Sequence, residues 1–418
     1  MAVGVFPDGG GANDGFETMD GLGFDAWSGL TNQFGWFDAT KAYFPWTRFP
    51  NVVRAQGAAQ AADAFIAYGG SWTDAGTPGQ HYADIHGIKE GNHVAPVDVA
   101  SFDADHAIHT TASVAHDPLF TKDHEAGGHP AGQRDVGLFT PNIAAIVKEL
   151  TDQMAWASGN AMGFHDDTDL TMPLGAQGMR PFSPASLVIV DAGEGYARPL
   201  GCIGWVYEDD WDASKVVPYP KQMVVGETVL CGVSVSHGQT LTWPADWHRI
   251  FQKTNGANVT LEIAWHKVDG LEADHFDMPA SGSCYLTGNI FRVTGAADPD
   301  VTPPEASAGA TGANANPDPD QIVPAGGNGR YLVLAMYGAH SHPEATAYPA
   351  GYALWTNTGT GVTSTGHGSA LAMLEGAAFD PGTFTMDAAD EWAAGTVVVY
   401  PAPTGAHDEA AWHMLIGH

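Results

Sequence analysis

Val224-Val225-Gly226-Glu227-Thr228-Val229-Leu230 opens the stretch that decides the fold class, residues 222–402, in which short apolar runs alternate with Gly, Pro and Asn. Leu241-Thr242-Trp243-Pro244-Ala245-Asp246-Trp247 and Leu261-Glu262-Ile263-Ala264-Trp265-His266-Lys267-Val268 follow. After a Pro/Asp/Ala/Gly segment come Tyr331 to Tyr337, Tyr348-Pro349-Ala350-Gly351-Tyr352, Phe379 to Thr385 and Glu391 to Tyr400. Period-two alternation with turn residues every 8–12 positions predicts short antiparallel strands in a β-sandwich or jelly roll. Ala185 to Val190 and Cys202 to Tyr207 read as two further buried strands, so the sandwich domain is expected over 181–403. Residues 298–330 are read as a long surface loop within it, and 404–418 as a short C-terminal tail.

The bulk properties are those of a globular chain. Apolar residues make up 44 % and aromatics 10 % of 418 positions, too much for a disordered acidic chain. Sixteen Lys and Arg face 48 Asp and Glu, a net charge of −32. That field repels nucleic acid and anionic membranes, so neither is expected as a partner. Tolerance of a saline medium and a GC-rich codon supply both account for the scarcity of lysine. Cys202, Cys231 and Cys284 lie in apolar stretches, where a thiol behaves as a small hydrophobe; they suggest no disulfide framework and no zinc knuckle. The first residues lack a basic and apolar leader, and no stretch reaches transmembrane length, so synthesis and assembly in a cytoplasm are expected.

The first 180 residues read differently. Residues 1–115 are rich in Gly and aromatics, with Phe34, Trp36, Phe37, Tyr43, Phe44, Trp46 and Phe49 within sixteen positions. Such a group buries its rings on a partner or in a compact loop-rich domain, and a partner-anchoring role is expected here. Ala55 to Tyr68 is compatible with a short helix. Residues 116–180 form a His-rich connector with the clearest helix, about 141–158: Thr140 as N-cap, Pro141 at the first turn, and Ile143, Ile146, Val147, Leu150 and Met154 on one stripe. The expected fold is therefore mainly β: a C-terminal antiparallel β-sandwich or jelly roll with a loop-rich, partly helical N-terminal anchoring region.

The order of motifs in 222–402 resembles the β-sandwich domain of minor structural and fibre proteins of tailed bacteriophages and related particles. Gly226-Glu227-Thr228-Val229-Leu230 matches its opening strand, with Glu227 where that family has Asp. Pro244-Ala245-Asp246-Trp247, Trp265 to Gly270, Phe291-Arg292-Val293-Thr294-Gly295 with Asp298-Pro299 beyond it, Tyr348 to Tyr352 and Trp392 to Tyr400 follow in the family's order. The resemblance implies a non-enzymatic virion protein: a fibre, spike or decoration that anchors by its N-terminal region and displays the sandwich for adhesion to a host surface. It implies self-association as a homotrimer, other virion proteins as partners and host glycans as receptors. A surface-glycan hydrolase and a stand-alone carbohydrate-binding module are the competing classes.

No cofactor is expected, but two histidine groups invite a structural metal ion. His106, His109, His124 and His129 lie with His116 among Asp103, Asp105, Asp117, Asp123 and Glu125; His340 and His342 form an H-x-H pair like those that hold a metal on the axis of trimeric phage tips. In a chain with 19 histidines, ordinary hydrogen bonding accounts for the same residues. His165 to Asp169 resembles an oxygen-rich calcium loop, as do Asp298, Asp300, Asp318 and Asp320, though neither has EF-hand spacing. No G-x-S-x-G elbow and no phosphate-binding Gly loop is present. Trp205, Trp243, Trp247, Trp265, Trp355 and Trp392 serve either as core residues or as sugar platforms.

Overall fold

The computed structural model describes residues 3–7, 14–18, 24–26, 35–38, 41–61, 63–71, 83–94, 105, 107–116, 133–168, 185–190, 197–220, 223–273, 275–341, 345–358 and 365–403. Within them the chain is mainly β, every strand pairing is antiparallel, and the C-terminal part forms a sandwich. One face of the sandwich belongs to a nine-stranded sheet, ordered Val3–Pro7, Ala185–Val190, Asp63–Ser71, Gln133–Phe139, Arg198–Pro218, His275–Thr294, Thr228–Ser236, Val259–Lys267, Trp247–Asn255. The other is a six-stranded sheet, Glu305–Ala306, Trp392–Val399, Gly329–Ala339, Gly366–Gly376 and Ala353–Thr358 in order, with Ala310–Gly312 also on Trp392–Val399. A third sheet carries Lys41–Phe49, Met162–Thr168, Ala83–Ile88 and His109–His116 as neighbours.

The large sheet crosses the expected boundary at 180/181, and its side chains show why. Along Asp63–Ser71 and Ala185–Val190, Phe65, Val188 and Val190 join the core facing the six-stranded sheet. Their neighbours Ala64, Ile66, Leu187 and Ile189 join a second core with Phe49, Ile85 and Phe164 of the third sheet. Successive strand residues point to opposite faces, so continuous apolar runs make a sheet buried on both sides. Thr228–Ser236 has the same character: all nine residues are buried, Leu230 facing one core and Val229, Cys231, Val233 and Val235 the other.

Helix α1, Ala144–Thr151, packs Ile146, Val147 and Leu150 into the N-terminal core. It is shorter than the expected 141–158. Thr140 does not cap it; its Oγ1 accepts the Ile66 amide at 2.8 Å, while Asn142 Oδ1 accepts the amides of Ala144 at 2.9 Å and Ala64 at 3.2 Å. Both hydroxyl and amide oxygen tie the helix start to a strand, and Met154 lies beyond its end, 97 % exposed. The helix expected near 55–68 is also replaced: Asp63–Ser71 is a strand, because burying its side chains in apolar cores on both faces outweighs the helix preference of alanine. Leu241 to Trp247 is a connection held by Glu262, fully buried, which accepts from the Leu241 amide (2.9 Å), Trp243 Nε1 (2.8 Å) and Arg249 Nη1 (3.2 Å).

The Pro/Asp/Ala/Gly segment 298–330 is stitched down. Glu305–Ala306 and Ala310–Gly312 pair with Trp392–Val399, and Asp320 accepts from Ser307 Oγ at 2.6 Å and the Gly309 amide at 2.9 Å. It covers part of a sheet edge that would otherwise offer free backbone groups. Beneath it, Gly309 and Gly395 make the slot for the Phe251 ring: a Cβ on Gly395 would lie 2.5 Å from ring carbons.

At one level the sandwich interior turns polar. His367, fully buried, takes Ser234 Oγ at Nδ1 and Ser369 Oγ at Nε2, each at 3.1 Å; Asn289 Nδ2 donates to Ser369 Oγ at 3.1 Å, and Thr287 Oγ1 to the Thr365 carbonyl at 2.7 Å. The seam is polar and paired, which satisfies the rule for buried groups. Burial drives the His367 imidazole down to about 3. The folded state thus holds it neutral while the unfolded chain protonates near 6.5, so the stability is complete above pH 6.5 and is lost as pH falls toward 3. The unfolding free energy from urea titrations is expected to fall by on the order of 2 kcal/mol between pH 7 and pH 5 from this group, and His367→Gln to flatten that slope.

Candidate functional site

The third sheet and the loops at its end carry one of the two clusters of metal-ligand-type side chains among the described residues. Ala83–Ile88 leads into a turn bearing Glu90 and His93, and the turn before His109–His116 supplies Asp105. The two segments are joined by the Lys89 amide on the Ile108 carbonyl (2.8 Å), and the Ile108 amide on the Asp105 carbonyl (3.1 Å) closes the second one on itself. Glu90, His93 and Asp105 each place a ligand-type atom within 4.8 Å of the others. His93 Nδ1 lies 3.2 Å from Glu90 Oε2, which also accepts the Val94 amide at 3.1 Å. On the other side of the ring, Nε2 is 3.9 Å from Asp105 Oδ2.

Burial dominates the electrostatics here. Desolvation lowers the His93 imidazole to about 4 against the opposing pull of Glu90, with Arg48 adding to the fall. Desolvation and then the Glu90 charge raise the Asp105 carboxyl to about 7. A neutral imidazole and a carboxyl poised near neutrality share one buried pocket.

His109 belongs to a different group from the expected one. Its Nε2 lies 2.8 Å from His165 Nδ1, and its ring stacks on His86 at 4.8 Å and 12°. Three adjacent strands bring these rings together, with His165 opposite His86 in register. His165 to Thr168 is therefore strand, not the solvated acidic loop expected of a stretch that only resembles a calcium loop. His106, His124 and His129 lie outside the described residues.

His340 meets carboxylates of a neighbouring turn, its Nδ1 lying 3.9 Å from Asp390 Oδ1, with Glu391 completing the group. Ser341 Oγ is 3.0 Å from the same Nδ1. A nucleophile relay needs the hydroxyl and the carboxylate on opposite ring nitrogens, so these three residues do not make one. His342 lies outside the described residues. Asp298 and Asp300 grip Lys267 Nζ at 2.7 and 2.8 Å, Asp320 serves the loop, and Asp318 is exposed; the four do not converge on a cation.

Of the anchoring aromatics, Trp46 and Phe49 are 1 % and 0 % exposed, and Phe49 packs edge-on to Phe164 at 5.8 Å. These two rings are spent in the chain's own interior, which removes them from a partner surface. Trp36 and Phe37 sit on Gly35–Asp38 and Tyr43 and Phe44 on Lys41–Phe49, backbone positions only; Phe34 lies outside the described residues. Trp247, Trp265 and Trp392 are core residues, and Trp243 is half-buried on Glu262. The side chains of Trp205 and Trp355 lie outside the described set. An open groove of about 420 Å³ is lined by Trp265, by His248 stacked on it at 4.3 Å, and by Asp246, Lys267, Asp269 and Asp300.

Glu90 and His93 lie upstream of the histidine-dense stretch, and their sequence signal is the E-x-x-H spacing of Glu90-Gly91-Asn92-His93. No protein-family model matches the chain, and no curated protein matches it. Among solved structures, it aligns with the infectious bursal disease virus VP2 subviral particle at 8 % identity over 96 % of this chain and 80 % of that one, with a TM-score of 0.11, which carries no argument.

Trp46→Ala is expected to cost about 3–5 kcal/mol of folding stability, as for other buried aromatic truncations. Chemical denaturation checks it, and an unchanged midpoint would return Trp46 to the surface.

Proposed function

We propose that the chain is a non-enzymatic structural protein of a virion or virion-like particle, of the fibre, spike or decoration kind, that self-associates, anchors by its N-terminal part and displays its sandwich. The observation that carries this is the continuity of the nine-stranded sheet, from Val3–Pro7 through Asp63–Ser71 to the sandwich strands. A load applied between the two parts acts on the antiparallel ladders of Gln133–Phe139, which pairs at three positions with Asp63–Ser71 and at three with Arg198–Pro218. Such coupling suits a part that must stay attached while its far end engages a surface.

The polar residues of the resembling motifs serve the same end. Glu227 and Arg292 form a two-point pair, Nε–Oε2 2.5 Å and Nη2–Oε1 2.9 Å, between the turn before Thr228–Ser236 and the adjacent strand. Lys267 clamps the Asp298 and Asp300 corner. They position strands. The net charge of −32 fits a solvated outer surface.

A second reading, glycan recognition, is favoured by the Trp265–His248 groove, where an aromatic floor meets an acidic rim. Light scattering on the size-fractionated full chain is expected to give a closed oligomer, with a trimer near three times 43.8 kDa as the form the fibre reading requires. A monomer at all concentrations together with sugar binding lost in His248→Ala would replace assembly with the glycan-binding reading.

A further inference from the structure

We propose that His93 and Asp105 bind a divalent metal ion of the zinc, manganese or iron(II) class, with Glu90 holding the imidazole from behind. His93 has no solvent exposure. Among the described residues, its Nε2 and Asp105 Oδ2 are both buried with no hydrogen-bond partner. The 3.9 Å between them is too long for a hydrogen bond. Two bonds of about 2.0–2.2 Å to a shared ion at a tetrahedral angle span about 3.3–3.6 Å, so a few tenths of an ångström of closure brings both atoms onto one ion. Two buried acceptor atoms facing each other without a proton or cation are costly, and an ion between them removes that cost.

Glu90 supplies the orienting arrangement usual for metal-bound histidine. With Oε2 accepting from Nδ1–H, the tautomer is set and the Nε2 lone pair is turned toward Asp105. Mixed nitrogen and carboxylate donors favour borderline transition metals over calcium or magnesium. Water completes the coordination.

The frame is built before any ion arrives. The His93 amide donates to the Ala161 carbonyl at 3.2 Å, and Arg48 Nε donates to the His93 carbonyl at 2.7 Å. Asn160 Nδ2 donates to the Gly91 carbonyl at 2.6 Å, and the Ala161 amide to Asn92 Oδ1 at 2.9 Å. Gly163 leaves the space for the ring: a Cβ there would lie 2.2 Å from His93 Cδ2. A turn so constrained holds the donors still, which lowers the cost of ordering them on binding. Arg48 is a nearby cation and opposes binding; the two carboxylates outweigh it, and the acidic chain raises the local cation concentration.

The test is titration of the chelator-treated full chain with Zn²⁺ by calorimetry, paired with thermal melts and Co²⁺ absorption. Because other histidine groups exist, the readout is stoichiometry. The folded wild type is expected to bind an equivalent of Zn²⁺ that His93→Gln and Asp105→Asn each remove, with a rise in melting temperature and a nitrogen- and oxygen-ligated Co²⁺ spectrum lost in both. Glu90→Gln is expected to weaken that equivalent by about 10–100-fold without abolishing it. Circular dichroism establishes that each variant folds, and if His93→Gln does not, Asp105→Asn and Glu90→Gln decide. Full stoichiometry and unchanged affinity in the folded variants would overturn the proposal, as would failure of the folded wild type to take up Zn²⁺ or Mn²⁺.

Discussion

A sheet that is apolar on both faces needs two covers, and the rest of this protein is arranged around that requirement. Phe65, Val188 and Val190 need the six-stranded sheet; Ala64, Ile66, Leu187 and Ile189 need α1 and the third sheet. Neither half can be removed without exposing one side of shared strands. Burial on this scale is the dominant favourable term in folding, at roughly 25 cal/mol per Å² of apolar surface. The charged pairs act at a smaller scale, setting where turns and corners fall. Arg198 illustrates the cost of placing charge inside. Its Nε lies 2.6 Å from Asp63 Oδ2 with the guanidinium over the Phe65 ring at 4.4 Å, and desolvation nonetheless moves both groups toward neutrality.

The polar seam at His367 gives the sandwich something apolar packing does not. Leucine and valine faces tolerate sliding past one another, whereas Ser234 with His367 and Asn289 with Ser369 pair only in one alignment of the two sheets. It is placed at the level where Gly232 and Gly338 bring the sheets close, a Cβ on Gly338 falling 2.3 Å from Ser234 Oγ. Close approach and directional pairing together fix register between layers.

The sandwich was legible in sequence because its strands alternate, its turns carry Gly and Pro, and both signals are local. Trp392–Val399 and Val259–Lys267 fall where Trp392 to Tyr400 and Leu261 to Val268 predict them. The N-terminal half was less legible for a physical reason: the stretch from Ala55 to Tyr68 is alanine-rich, and the strand state of Asp63–Ser71 is decided by partners more than a hundred positions away in Ala185–Val190. Helix α1 was read correctly by its stripe and misjudged in length, since Asn142 and Thr140 answer to a strand rather than to the helix alone. The Glu90–His93–Asp105 group was half legible: E-x-x-H is visible, but the approach of Asp105 depends on two turns meeting. Trp46 and Phe49 carried the opposite error, since a dense aromatic run does not distinguish rings that cover a neighbour from rings that fill an interior.

Continuity of the large sheet also sets a timetable. Val3–Pro7 pairs with Ala185–Val190, Val3 lying opposite Val190. At about 5–20 residues per second of synthesis, the first strand leaves the ribosome roughly ten to forty seconds before its partner. Meanwhile Val3, Val5 and Phe6 travel as an unpaired apolar segment, open to capture by another nascent copy or by a chaperone. A protein organised around one shared sheet is therefore assembled late and nearly all at once.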